Sequence, residues 1–242
     1  MLSAQNVFKS FGERQVLRGI DISVEPGKIA ALIGPSGAGK TTLLRTLSLL
    51  DPPDSGKIAV DDIAYTFPLG LDDGIKPPWP DVTVVFQQLF LWPHLTLREN
   101  IILPVRNKKK IDNGGHLDEL IKLFDMAEFI DRYPNEASIG QRQRTALARA
   151  LILDPSYILL DEITSALDVE QVSVILSHLQ ALRDKGIGVL LVTHLIGFAR
   201  RAADRVVFLD EGKVLESGGP DLLDCPKNER VRRFLSVIES AT

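Results

Sequence analysis

Gly34-Pro35-Ser36-Gly37-Ala38-Gly39-Lys40-Thr41 is the stretch from which the rest of the chain can be read. It fits the pattern G-x-x-x-x-G-K-[ST] with the flanks that pattern requires, a strand before it and a helix after it. Lys28-Ile29-Ala30-Ala31-Leu32-Ile33 is a short apolar strand that ends at Gly34. Leu43, Leu44, Leu47 and Leu50 mark one face of a helix running from Lys40 to Leu50, which Asp51-Pro52-Pro53-Asp54-Ser55-Gly56 then stops. Glycines let such a loop wrap until several backbone N–H groups converge on phosphate oxygens. The following helix points its positive end at the same anion. Lys40 can neutralise the outer phosphates of a nucleotide, and the Thr41 hydroxyl is placed to ligate Mg²⁺.

Outward from the loop, short apolar strands alternate with helical stretches, which predicts an α/β sheet. Tyr157-Ile158-Leu159-Leu160 delivers Asp161 and Glu162 from a strand end. Two acids after an apolar strand are a weak motif alone. Beside a phosphate loop they suit an Asp that binds Mg²⁺ through water and a Glu that activates the attacking water. Val189-Leu190-Leu191-Val192 leads through Thr193 to His194, whose ring could reach a terminal phosphate from the same crevice. His94, His116 and His178 read as structural or exposed, and no histidine pair has metal-ligand spacing. Val82 to Phe86 is a further strand, closed by Gln87. Residues 95–133 read as mainly helical, with Leu117, Leu120, Ile121, Phe124 and Ala127 in helical register and an exposed bend at Lys108-Lys109-Lys110 and Asn113-Gly114-Gly115. Helices are also expected from Gln141 to Leu153 and around Val172, Ile175, Leu176, Leu179 and Leu182. Glu211-Gly212 between Arg205–Asp210 and Lys213–Ser217 predicts a hairpin, and the proline-rich residues 66–80 an irregular surface loop.

With 242 residues, 45% apolar and 25% charged, the chain can bury a core without disulfides or structural metals. Its net charge of −4 provides no domain-wide positive field, which argues against nucleic acid as a partner. The single cysteine, Cys225, excludes an intrachain disulfide and a cysteine-cluster zinc site. Met1 to Asn6 lacks a signal-peptide pattern. No apolar run approaches the roughly 18–20 residues of a membrane helix. A soluble protein of a reducing compartment is expected, one that does not cross a membrane by itself.

Taken in order along the chain, these segments resemble the ATP-binding cassette family. Val84-Val85-Phe86-Gln87 looks like the family's Q-loop. Pro134-Asn135-Glu136-Ala137-Ser138-Ile139-Gly140-Gln141-Arg142-Gln143-Arg144 aligns with its signature segment. Asp161-Glu162-Ile163-Thr164-Ser165-Ala166-Leu167-Asp168 resembles the second Walker motif running into the D-loop. Thr193-His194 resembles the switch-histidine segment, and Phe11 sits where the family stacks an aromatic ring on adenine.

The resemblance implies a P-loop NTPase core with a mainly parallel sheet, an antiparallel β-subdomain and an inserted helical subdomain. Residues 1–87 and 157–242 would form the first two, and 88–156 the helical arm. It implies ATP and Mg²⁺ as cofactors, with Gly34, Pro35, Ser36, Gly37, Ala38, Gly39, Lys40, Thr41 and Thr42 around the phosphates. Thr41, Gln87 and Asp161 would lie at the metal. Glu162 would be the general base, His194 the γ-phosphate sensor, and Gln87 a sensor of Mg²⁺ and water. Ser138, Gly140 and Gln141 would complete the site of a second cassette in a head-to-tail homodimer, with Asp168 contacting across it. Two departures stand out. Ile139 replaces a glycine of the usual signature, and a β-branched residue disfavours φ > 0 and obstructs close approach to phosphate, which predicts a weaker ATP-driven dimer or slower hydrolysis. Ile163 replaces the proline usual after the Walker B acids.

The segments Leu89 to Thr96 and Ala199 to Arg205 resemble cassettes of bacterial polar amino acid uptake systems. That implies an ATPase subunit on the inner face of the cell membrane, attached through a separate transmembrane permease and served at the system level by a solute-binding protein. The competing reading is a nucleotide-gated cassette of a non-import complex, of lipoprotein-release or cell-division type, with weak turnover. Phe86, Phe90 and Trp92 fit either a groove that grips a permease helix or the core of the helical arm itself. Arg142, Arg144 and Arg149 are expected on an exposed or intersubunit face.

Overall fold

Leu2–Phe11 (β1) and Arg14–Val24 (β2) pair antiparallel, and β1 pairs on its other side with Ser55–Val60 (β4), which in turn pairs with Ile63–Phe67 (β5). The computed structural model describes residues 1–68, 75–106, 113–163 and 169–241. Between β2 and β4 the chain leaves this sheet to form Ile29–Ile33 (β3) and the helix Lys40–Leu47 (α1). A second sheet is built on β3 with Val82–Val85 (β6), Tyr157–Asp161 (β7), Gly188–Val192 (β8), Arg205–Asp210 (β9) and Lys213–Gly218 (β10), in the order β10-β9-β3-β8-β7-β6. All its pairs are parallel except the β9–β10 hairpin. The expected α/β fold with a mainly parallel sheet and a separate antiparallel sheet is therefore present.

Every residue of β3, β7 and β8 is buried, because helices or the other sheet cover both faces. Side chains alternate between two cores. Ile158, Leu160, Val189 and Leu191 pack with helical residues such as Leu147, Leu151, Ile175 and Leu179. Leu159, Leu190 and Val192 pack with Leu43, Leu44 and Leu47 of α1 and with Val7, Leu17 and Ile20 of the antiparallel sheet. The helices on the first side are Leu97–Ile102 (α2), Asn113–Leu123 (α3), Ile139–Leu151 (α4) and Val169–Asp184 (α5). Ile196–Ala202 (α6) and Glu229–Ala241 (α7) pack near β9 in a third cluster with Phe208, Val231 and Leu235. Among the described residues no helix is long and apolar enough to cross a membrane.

Several boundaries differ from those expected. α1 stops at Leu47, three residues early, because the Ser48 hydroxyl donates back to the Leu44 and Arg45 carbonyls and Leu49 turns left-handed at φ 56°. α4 begins two residues before Gln141, since Ser138 caps it. Asn113 to Gly115 open α3 where a bend was expected, while Lys108 to Lys110 lie outside the described residues. α3 ends at Leu123, and left-handed Asp125 (φ 47°) redirects the chain so that Met126, Phe129 and Ile130 are buried while Ala127 is exposed. The hairpin forms as predicted, with Glu211 and Gly212 at φ 46° and 75° matching the strand twist. Of residues 66–80, Phe67 still belongs to β5 and is buried, and 69–74 lie outside the described residues.

Candidate nucleotide site

Neighbouring strands β3, β8, β7 and β6 bring Gly34, His194, Asp161, Glu162 and Gln87 to one edge of the parallel sheet, at the strands' carboxyl ends. Gly34 leaves β3 at φ 149°, and a Cβ there would lie 2.0 Å from the Leu209 carbonyl oxygen, so no other residue fits. Gly39 precedes α1 and offers no side-chain cap, so the first-turn N–H groups of this helix remain available to an anion. Ser36 and Gly37 are exposed at the crest of the loop, whereas Ala38 is buried beneath it. Lys40 is only 5% exposed and arches back over the loop, its Nζ donating to the Gly34 and Pro35 carbonyls at 2.9 Å each. Burial lowers its pKa from the ordinary lysine value, and the nearby charges of Glu162 and Asp161 oppose that.

Thr41 donates its hydroxyl to Asp161 Oδ2 at 2.8 Å, joining α1 to the end of β7. Asp161 is 4% exposed, and its Oδ1 is buried without a hydrogen-bond partner among the described residues. Burial raises its pKa above the usual carboxylate value; the Thr41 hydrogen bond opposes this and the charge of Glu162 adds to it. A buried carboxylate oxygen with no donor beside it costs free energy unless a cation completes it. A hydroxyl and a carboxylate are also the hard oxygen donors that Mg²⁺ takes, so this pair fits that ion.

Glu162 follows in the left-handed region at φ 50°, with its N–H donating to the Val192 carbonyl at 3.0 Å. That backbone is uncommon for a side chain of this size, and the surrounding sheet holds it in place. Its Oε1 lies 2.6 Å from Nε2 of His194. His194 is set by Thr193, which is buried and whose Oγ1 accepts the Leu195 N–H at 3.1 Å. Hydrogen bonds thus tie Thr41 to Asp161 and Glu162 to His194, with Lys40 close enough to feel both acids.

The remaining expected residues stand apart from these contacts. Gln87 is exposed two residues beyond β6, whose Val85 pairs with Leu160 next to Asp161. Phe11 is 51% exposed at the end of β1, with Lys9 Nζ 5.3 Å from its ring centroid. Ser138 and Gln141 engage each other: Ser138 Oγ accepts the Gln141 N–H at 3.2 Å and Gln141 Oε1 accepts the Ser138 N–H at 2.9 Å, a reciprocal cap for α4. Ile139 is the first helical residue there and is not in the left-handed region, so the expected backbone penalty at this position does not arise. What it presents instead is an exposed apolar side chain beside Gly140. Asp168 lies outside the described residues.

Two arrangements were not read from the sequence. Arg149 and Arg144 turn inward instead of lining an open face. Arg149 donates to the Leu89 and Phe90 carbonyls, and Arg144 to those of Phe124 and Asp125. Phe90 and Trp92 are exposed and do not belong to the helical core. Nothing in the local pattern separates an arginine that caps distant carbonyls from one in solvent, because its partners are distant in sequence.

The ABC transporter family pattern matches residues 17–165. The arginine transport ATP-binding protein ArtM of Bacillus subtilis is 39% identical over 242 residues, covering 98% of this chain and 100% of that protein. The glutamine transport ATP-binding protein GlnQ of Escherichia coli is 40% identical, with 98% and 100% covered. Among solved structures, the dimeric post-hydrolysis state of the ATP-binding cassette MJ0796 bound to ADP and Pi superposes with a TM-score of 0.78 at 32% identity, over 91% of this chain and 99% of that one. This chain belongs to the ABC transporter family and is an ATP-hydrolysing cassette.

Proposed function

We propose that the chain is the ATPase subunit that powers uptake of a polar amino acid through a separate membrane subunit. The observation that carries the chemistry is the joined pair of contacts at the strand ends, Thr41–Asp161 and Glu162–His194. The N–H groups of Ser36 to Thr42 cradle the phosphates, and Lys40 exchanges its bonds to the loop carbonyls for phosphate oxygens. Phe11 stacks on the adenine ring. Thr41 and Asp161, with Gln87 beside them, hold Mg²⁺, which when bound neutralises phosphate charge. Glu162 takes a proton from the attacking water as its oxygen bonds to the γ-phosphorus and the bond to the bridging oxygen of ADP breaks. His194 orients Glu162 and donates to the γ-phosphate.

Residues 88–156 form the arm that presents Ser138, Gly140 and Gln141, with Asp168, to a second cassette arranged head to tail. The N-terminus of α4 suits an anion through its helix dipole and the first-turn N–H groups that the Ser138–Gln141 cap does not use. The names of the relatives, transport ATP-binding proteins for arginine and glutamine, support the solute class. The same reading attaches the cassette to a membrane permease at the inner face of the membrane, with a solute-binding protein serving the system as a whole. With purified protein, Mg²⁺-dependent, vanadate-sensitive ATP hydrolysis is expected, and Glu162→Gln is expected to lower kcat by about 10²–10⁴-fold while ATP still binds. ATP-driven uptake of labelled arginine or glutamine by the complex reconstituted with its permease tests the solute class. Hydrolysis unaffected by Glu162→Gln refutes the role of that residue.

A further inference from the structure

Between β6 and α2 the chain runs through Gln87 without helix or strand, yet side chains from two helices hold it. Asn100 of α2 is fully buried. Its Oδ1 accepts the Trp92 N–H at 2.8 Å, and its Nδ2 lies 3.1, 3.1 and 2.9 Å from the carbonyl oxygens of Trp92, Leu95 and Thr96. From the last turn of α4, Arg149 donates Nη1 to the Phe90 carbonyl at 2.8 Å and Nη2 to the Leu89 carbonyl at 2.6 Å. Two successive carbonyls meet one guanidinium because the chain turns sharply there, with Phe90 left-handed at φ 48°. The Phe90 ring meets that of Phe86 edge-on, with centroids 6.1 Å apart. Gln87 therefore sits inside a turn closed by an aromatic contact across it and pinned by Arg149 just after it.

We propose that Arg149 is a positioning residue for Gln87, fastening the turn that carries Gln87 to the helix whose opposite end begins at Ser138. The inference rests on the reading of Gln87 as a nucleotide-site residue. α4 is an unbroken helix of 13 residues, about 20 Å long, and shifts as a rod. A displacement of its Ser138 end by a partner cassette is then carried through Arg149 to Leu89 and Phe90, and so to the residue at the metal. The planar fork of arginine satisfies both carbonyls at once, which a lysine ammonium on a flexible stem does not. Burial of the guanidinium, which lowers its pKa, agrees with a group committed to these carbonyls.

The test uses the cassette assembled with its permease and compares Arg149→Lys, Arg149→Met, Gln87→Ala and the Gln87→Ala double variants. Arg149→Lys keeps the charge and one donor, so it remains informative if Arg149→Met does not fold. The expected result for Arg149→Lys is a kcat lower by about tenfold, a KM for ATP within about twofold, a higher Mg²⁺ concentration for half-maximal rate, and little further loss when Gln87→Ala is added. The proposal is overturned if the two losses multiply, or if Arg149→Lys lowers the melting temperature while leaving kcat and the Mg²⁺ dependence unchanged. It is also overturned if Gln87→Ala alone leaves kcat unchanged. That last outcome removes the role of Gln87 itself, so it separates failure of the premise from failure of the clamp.

Discussion

The strand-end cluster and the start of α4, the two places proposed to meet phosphate, are built in opposite ways. In the cluster, the polar groups of three strands and one helix are already joined inside a single chain, and one buried oxygen, Asp161 Oδ1, lacks a partner among the described residues. At the start of α4, Ser138 and Gln141 satisfy each other and face outward, while Arg142 Nε and Gln143 Oε1 behind them are buried without a hydrogen-bond partner among the described residues. The first region spends folding energy on a site that is complete except for its ligand. The second is a stable helix end that, in the proposed head-to-tail pair, becomes part of a site only when another chain approaches. Nucleotide binding should therefore depend on the first region alone, and turnover on both.

The largest way to break this contrast is at Gly34. An added Cβ would overlap the Leu209 carbonyl, so Gly34→Ala should cost about 3 kcal/mol or more and lower Tm by about 10 °C. ATP affinity should fall with it, and calorimetry combined with nucleotide titration checks both. His178 sharpens the contrast from outside the site. It is 7% exposed, packs against Phe124 at 4.6 Å between centroids, and its Nδ1 is buried without a partner among the described residues. Burial, reinforced by Arg144 and opposed by a hydrogen bond to the Leu123 backbone, holds its pKa down at about 4. A base with a depressed pKa binds its proton more readily when unfolded, so stability is lost as pH falls from 6.5 toward 4, by about 3 kcal/mol at the lower limit. His178→Phe should remove that part of the acid sensitivity in denaturation curves at pH 7 and pH 4.5 and leave ATP turnover intact. Lost turnover would place His178 in the machinery after all.

Smaller effects are expected at the start of α4. Ser138→Ala should cost about 1 kcal/mol through the lost cap, and lower kcat of the assembled complex with ATP affinity of the single cassette unchanged. If that affinity drops as well, the two regions are not separable as described. Ile139→Gly should lengthen the ATP-bound dimer's lifetime by about threefold, equivalent to about 0.7 kcal/mol, through removal of an exposed side chain. An unchanged lifetime and turnover would mean that Ile139 does not obstruct the partner.

The contrast also divides what could be read without coordinates. The phosphate loop was legible because its chemistry needs glycines, a lysine and a hydroxyl at fixed short spacing between a strand and a helix. β7, β8 and the hairpin were legible for a similar reason: buried strands are short apolar runs, and a tight turn demands its own residues. Helix ends were less so. Ser48 and Ser138 act through hydrogen bonds that compete with the apolar period, so α1 stopped before that period ended and α4 began ahead of it. Ile139 shows the limit most plainly, since its place at a glycine of the family signature predicted a strained backbone that the capped helix does not impose.

Amino-acid order alone was enough for the class of fold and for naming the candidate phosphate loop, acids and histidine, because each shows as a pattern within a few residues. Folding in three dimensions settled which oxygen of Asp161 is left unpaired, that Glu162 meets His194 from a left-handed backbone, and that Arg149 reaches across to Leu89 and Phe90. Those contacts, together with Thr41–Asp161, join residues 32 to 120 positions apart. They depend on strand order and helix packing, which no local spacing encodes.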